Sequence, residues 1–506
     1  MKHKQLAFNI AANFVSVMVS LLVSLLLTPY IVANIGKEAY SFVPISNNFV
    51  QYMTILTVAM TSMTARFVTL SMHKGEVEKA KSYFSTAFFT NLSIALVSLT
   101  AGFFIVLFLD RLIDIPQEIL GDVRLLFIFM FLMFFVNVST NIFSVPAFSV
   151  NRIDVTGMVT LVSILVRLLV IILAFVFFPP HVYYIGLSIL AYMLIQGILN
   201  YFFSRRLMPA LKIEFRRFDL KLAKELGSSG IWSSFNQLST VLLTGLDLVI
   251  ANVVLGASAA GVLAVAKTAP MALQMLVNVV PQSFAPHLTI LYAKESRDAF
   301  VAELRYTLKI SALLTGIPIA GFIVLAPVFF RLWVPSVASN ELVVLSILTL
   351  GSMVASFGLL PLLYVFTITN RLKIASMSVF LSGTLNLLLV LLLLRFSNLG
   401  LYAVAGVSSV LESLRFLVFV PMYASHCLHI PKKTFYPSIF QNLFYLAVLI
   451  VVYFGISSLL NVSTWSGLGL SALLMGVAGL LAGSVVLMKS ADRARLMKRI
   501  PWIRRR

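Results

Sequence analysis

TLSMHKGEVEKAKSYFSTAF occupies residues 69–88, and TILYAKESRDAFVAELRYTL occupies 289–308. At an offset of 220, Thr69 meets Thr289, Lys74 meets Lys294 and Glu78 meets Asp298. The same offset carries Gly36 onto Gly256 and Arg111 onto Arg331. With a slip of one residue, Asn151–Arg152 falls on Asn370–Arg371. Each match alone is weak. Their shared order across four loops is informative, because a fixed period marks one unit used twice.

The chain around these loops is apolar. Of its 506 residues, 60% are hydrophobic and 11% charged, too little polar character for the surface of a soluble protein of this length. Runs of roughly 18 or more apolar residues recur from end to end, the signature of a multi-span helical membrane protein. Breaks at polar, Gly and Pro clusters give fourteen candidate spans, near 8–35, 39–66, 83–109, 123–148, 156–178, 183–207, 228–254, 259–290, 306–331, 341–368, 374–396, 401–425, 438–460 and 467–489. The first run follows a basic start and has no small-residue cleavage site, so it reads as a span rather than a signal peptide.

The predicted fold is therefore all-α and polytopic. Residues 1–207 form an N-lobe of six helices and 228–425 a C-lobe of six more. A linker, 208–227, joins them, residues 426–489 add two helices, and 490–506 form a basic tail. Six is even, so both copies insert the same way up. Such a parallel repeat has its axis along the membrane normal and a substrate cavity expected between the halves.

Lysine and arginine orient the chain. Thirty of them lie in segments on the side of the termini, among them 67–82, 208–226 and 291–304. Five, Lys37, Arg111, Arg124, Arg331 and Arg395, lie opposite, and three are mid-span. This asymmetry puts both termini in the cytoplasm of a cell with a multi-pass plasma-membrane protein. It also accounts for the net charge of +20 without nucleic acid, leaving attraction to anionic membrane lipids as a by-product.

Several chemistries lack their motifs. No GxxxxGK[ST] phosphate loop appears. The six histidines, 3, 73, 181, 287, 426 and 429, lie near helix ends or in loops without metal-helix spacing. One cysteine, Cys427, makes an internal disulfide or a cysteine metal cluster impossible. No metal, cofactor or catalytic residue is predicted. A membrane polymerase or ligase would need larger outer loops bearing clustered Arg, His or acids, so a transporter is the preferred class over an enzyme.

The polar residues inside the spans carry the function. Asn47, Gln51, Thr54 and Ser62 share one face of the second span. Lys267, Gln274, Asn278 and Gln282 share one face of the eighth. The repeat superimposes the stripes: 47 falls on 267, 54 on 274 and 62 on 282. Interhelical hydrogen bonding explains such stripes in many bundles; a hydrated cavity explains two symmetric ones. Lys267 shares its depth with Asp247, so a charge pair and a ligand role both fit. Glu412 and Arg415, three apart, pair in the same way, or take part in ion coupling. Arg167 has no acidic residue near its depth in the first half, and an unpaired buried arginine is costly, so it is expected to meet water or an anion. Arg66, at the inner end of the second span, can meet an anion or snorkel to the interface. Pro44, Pro270, Pro281, Pro286, Pro318 and Pro361 predict bends.

The segment 28–89, with its Pro29–Gly36 helix end, its Ala65–Arg66–Phe67 exit and its basic loop leading to Ser85, resembles the start of the polysaccharide-transporter (Wzx-like repeat-unit flippase) family. That family lies within the multidrug/oligosaccharidyl-lipid/polysaccharide exporter superfamily. LDLVIANVVLGASAAGVLAVAK, 246–267, resembles the corresponding entry of the second lobe. The resemblance implies a flippase moving a polyprenyl-pyrophosphate-linked oligosaccharide from the inner to the outer leaflet of a bacterial membrane by alternating access. It implies a partly cationic cavity to which Arg167, Lys267, Arg415 and Arg66 would contribute, a monomer, and association with polysaccharide polymerase machinery. Asp247 and Glu412 depart from a purely cationic cavity. A flippase for a peptidoglycan or spore-envelope precursor is an alternative, as is a cation-coupled drug antiporter. The first six spans hold no mid-membrane Asp or Glu, which argues against the antiporter.

Overall fold

The computed structural model describes residues 25–150, 152–294, 297–337, 339–369, 371–460 and 462–488, with positions 19, 23, 490, 492 and 493. Among these residues the secondary structure is helical, without a strand. The principal helices are α1 Leu25–Asn34, α2 Lys37–His73, α3 Val77–Leu107, α4 Leu120–Thr140, α5 Ile153–Phe177, α6 Tyr183–Leu207, α7 Leu220–Thr240, α8 Ala257–Lys294, α9 Arg297–Trp333, α10 Asn340–Ser356, α11 Leu372–Phe396, α12 Leu401–Leu414, α13 Tyr436–Leu459 and α14 Trp465–Val486. Eleven described helices are long and apolar enough to cross a membrane, and two bent pairs bring the number to thirteen. Of the expected first span, 8–35, the described helix is α1; most of the remainder lies outside the described residues.

The helices outrun their apolar cores. About 20 residues cross a bilayer, yet α2 has 37 residues and α8 has 38. The segment 67–82, expected as a loop, is helical except for the turn at Lys74–Glu76. Hydropathy marks the membrane crossing, whereas Lys, Glu and Ala continue a helix well into water. Lys81 pairs with Glu78 at 2.7 Å in the first turns of α3, and Gly75 at φ 77° makes the turn before it.

Helix α2 runs through Pro44, and α9 runs through Pro318 and Pro327. Pro361 does lie at a break, a 55° bend between Asn340–Ser356 and Leu360–Ile368, where Gly358 has φ 70°. The other bend, 40° between Leu220–Gly245 and Asp247–Leu255, has no proline. It falls between two π-helical turns, Val241–Gly245 and Ala251–Leu255, in which one extra residue per turn displaces the hydrogen-bond ladder.

The repeat is written in the backbone. Gly36 has φ 95°, ψ 158° and Gly256 has φ 94°, ψ 166°. Arg152 precedes α5 at φ −101°, ψ 57°, and Arg371 precedes α11 at φ −110°, ψ 48°. Their amides donate five residues back, to Ala147 O and Phe366 O, each at 2.8 Å. Helices α5 and α11 each have 25 residues.

Two compact units emerge, residues 1–265 and 266–506. This division falls inside α8; the repeat divides the chain at the linker, a different property. In the first unit α4 and α5 both pack on α6, and α2 packs on α3 and α7. The α2–α7 seam is made of small residues: Ser234 Oγ donates to Ile55 O at 2.6 Å, Ser62 Oγ meets Ser233 Oγ at 3.3 Å, and Gly230 lies against the Ala59 carbonyl. Small side chains let helices approach where apolar surface supplies no contrast with lipid. Asp114 fastens the start of α8. Its carboxylate accepts from Ala257 N at 3.0 Å, and its backbone exchanges bonds of 2.7 and 3.0 Å with the buried Asn252 amide.

The linker is strapped to α3. Ser85 Oγ accepts from Glu214 N at 3.1 Å, and Thr86 Oγ1 accepts from Asp219 N at 3.1 Å. Arg217 bridges Glu214 and Glu78, and these hydrogen bonds, Glu214 first, raise its guanidinium above its ordinary pKa. In the second unit α9, α13 and α14 enclose Tyr445 and Tyr453, both fully buried.

Candidate functional site

Arg167 is just past the middle of α5, Ile153–Phe177. Thr156, Thr160, Ser163 and Arg167 follow steps of three and four and so share a face. That face turns toward α6, the helix against which α5 packs. Arg167 is half-buried. Its Nε is buried without a hydrogen-bond partner, and no ion pair to it occurs among the described residues. Tyr192 on α6 lies near it and also meets Thr160. Gln196, one turn on, donates to Tyr192 Oη at 3.2 Å. The result is a polar cluster, rich in donors and lacking an anion, built from two apolar helices. A guanidinium with an unmade bond in such surroundings suits an anionic oxygen, and its planar fork can give two parallel bonds to phosphate.

Sequence reasoning placed Arg167 but missed Tyr192 and Gln196. Their spacing of four on an otherwise apolar helix was the available signal.

The other cations behave differently. Arg415 is held by Glu412 through two bonds, Nε to Oε1 at 2.6 Å and Nη2 to Oε2 at 2.8 Å, and lies 4.6 Å from the Phe416 ring. The pair is nearly buried and sits where α12 passes into a π-helical turn, Arg415–Phe419. Its fork is occupied, so it offers an anion less than Arg167 does. Lys267 is 8% exposed and Asp247 2% exposed; neither is a free charge. Arg66 is exposed on α2.

Asn47 is half-buried, with its amide donating to Val43 O at 3.1 Å, and Gln51 is exposed. Gln274 and Asn278 are exposed on α8, although 61% of the apolar window of Ala257–Asn278 is buried, the largest share among the single spans. Met271 and Met275 are exposed on the same stretch of α8. The Gln282 side chain lies outside the described residues. Ser62 spends its hydroxyl on the α7 seam, so part of the α2 stripe is interhelical. No cluster of three His, Cys, Asp or Glu fit for a metal occurs among the described residues.

Residues 6–290 match the family described as "Polysaccharide biosynthesis protein". The chain belongs to this family. It is 30% identical over 465 residues, 92% of each chain, to the uncharacterized membrane protein EpsK of Bacillus subtilis (strain 168). Its fold is similar to an inward-facing multidrug resistance MATE transporter of the MOP superfamily, with TM-score 0.64 and 15% identity over 81% of this chain and 95% of that one. It is also similar to lipid II flippase MurJ in an inward closed conformation, with TM-score 0.60 and 13% identity over 97% and 100%. The resemblance of 28–89 and 246–267 to a polysaccharide-transporter family therefore holds, and the protein is a helical, multi-pass membrane protein with transporter folds as its structural neighbours.

Proposed function

We propose that this protein carries an anionic, lipid-linked oligosaccharide, with a polyprenyl pyrophosphate carrier, from the inner to the outer leaflet for cell-surface polysaccharide synthesis. Both termini lie in the cytoplasm, and transport proceeds by alternating access through a partly cationic aqueous cavity. No catalysis is involved. The observation that carries the reading is Arg167, whose buried Nε has no partner beside Tyr192 and Gln196. A pyrophosphate brings oxygens that this group lacks, and the hydrocarbon around it offers no other counter-charge. Membership of a polysaccharide-biosynthesis family supports the glycan, and a fold shared with a lipid II flippase supports the movement of a lipid-linked head group. Lys267, Arg415 and Arg66 are secondary contributors, with Glu412 and Asp247 balancing the charge.

The test is surface polysaccharide in a flippase-null strain at matched membrane abundance. Arg167→Ala abolishes export, and Arg167→Lys, a point charge without the fork, restores it in part. Wild-type export from Arg167→Ala would remove the head-group role.

A further inference from the structure

At one end of the second unit, basic residues gather around the turn between α12 and α13. The short helix Val420–Cys427 ends there, and His429 takes φ 52°. Arg297 donates to His429 O at 3.0 Å, and Arg305 Nη2 donates to Thr434 O at 3.1 Å, so two α9 arginines hold the turn by its carbonyls. Thr434 Oγ1 donates to Pro431 O at 2.6 Å and closes it. Phe435, fully buried, anchors it to the core. Between these fixed points Lys432 and Lys433 stand exposed, with no ion pair among the described residues. Directly beside them opens a cavity of about 630 Å³, whose remaining lining is Met422, Tyr436, Pro437 and Phe440. Phe440 is 68% exposed, and Phe444, one turn on, is 63% exposed, so the apolar floor continues along the outer face of α13.

A rigid pair of cations at the mouth of an apolar groove is complementary to an amphiphile with an anionic head. Basic pockets of this kind at a membrane interface take phospholipid head groups, and long apolar side chains along the adjoining helix take the acyl chain. We propose that this groove binds an anionic glycerophospholipid of the surrounding leaflet, with Lys432 and Lys433 on the phosphodiester and the acyl chain along Met422, Pro437, Phe440 and Phe444. The groove belongs to the second unit and Arg167 to the first, and the proposal does not depend on the transport reading.

Full-length protein in detergent, titrated with phosphatidylglycerol and read by native mass spectrometry, provides the test. Lys432→Gln with Lys433→Gln weakens binding by roughly 30-fold, since each surface cation is worth about a factor of five. Lys432→Arg with Lys433→Arg retains it. Lys221→Gln with Lys224→Gln, an equal charge change elsewhere, leaves it intact. Phosphatidylcholine, inorganic phosphate and deacylated glycerophosphoglycerol bind far more weakly than phosphatidylglycerol. Equal binding of phosphatidylcholine, or equal loss in the Lys221/Lys224 variant, would overturn the proposal. So would polyprenyl pyrophosphate binding there more tightly than phosphatidylglycerol, which would make the groove a substrate port.

Discussion

Gly36 and Gly256 hold one backbone conformation 220 residues apart, φ 95°, ψ 158° and φ 94°, ψ 166°. Each ends one helix and starts the next, α2 and α8. This region of φ and ψ is open essentially to glycine alone and costs other residues about 1–3 kcal/mol. No atom lies near the missing Cβ of Gly36, so the penalty there is purely torsional.

Gly36→Ala and Gly256→Ala are therefore expected to destabilise the protein by similar amounts, about 1–3 kcal/mol. Gly455→Ala, inside α13 with open space around it, should be neutral or slightly stabilising. Thermal unfolding in detergent compares the three. An unchanged midpoint for Gly36→Ala would show that the joint relaxes freely.

A methyl group at Gly230 would land on the Ala59 carbonyl oxygen, in the seam where Ser234 bonds Ile55. Backbone cannot yield as a side chain can. Gly230→Ala should cost about 1–3 kcal/mol and reduce export. Gly227→Ala, whose Cβ would meet the Met60 sulfur at an ordinary 3.7 Å, should be tolerated. Equal behaviour of the two would mean that α7 can shift along α2.

Much of this molecule was legible in its sequence. Apolar runs located the described spans because hydrocarbon thickness sets their length, and among the matched loop residues Arg152 and Arg371 take similar backbone angles. The i,i+3 spacing of Glu412 and Arg415 announced their pairing. What escaped depends on tertiary context. Residues 67–82 look like a loop to hydropathy because water-exposed helix is polar. The bend near Gly245 follows from π-helical turns, which have no composition of their own. The strap from Ser85 and Thr86 to the linker joins residues more than 120 apart through ordinary hydroxyls, which carry no long-range signal.

Sidedness can be tested with little background. Cys427 is 3% exposed, so the native thiol is shielded, and Cys427→Ser silences it fully. A cysteine replacing exposed Glu214 should resist an impermeant maleimide in intact cells and react after the cells are opened. Labelling in intact cells would invert the topology.

The exposed amides of Gln51, Gln274 and Asn278 should face water in at least one transport state. Single cysteines there are expected to react with a membrane-impermeant reagent in open membranes much faster than a cysteine at Phe444, on the outer apolar face of α13. Rates as slow as at Phe444 would make the stripes purely interhelical.

The Glu412–Arg415 pair separates charge balance from substrate binding. Both side chains are about one-tenth exposed, and two short bonds join them. Removing one partner leaves the other buried without compensation, at a cost of about 3–5 kcal/mol. Glu412→Ala and Arg415→Ala should thus each lower stability sharply. The double variant removes both charges and should recover most of the loss, since contacting residues are not additive. Export then decides the role. If Arg415 serves only to neutralise Glu412, the double variant exports nearly as well as it folds. If the arginine also holds the head group, stability returns and export does not. Because Arg167 has no such partner among the described residues, Arg167→Ala should abolish export with a smaller effect on the melting midpoint. A double variant as unstable as either single one would show that the two residues do not form an energetic pair, whatever the distance between their atoms.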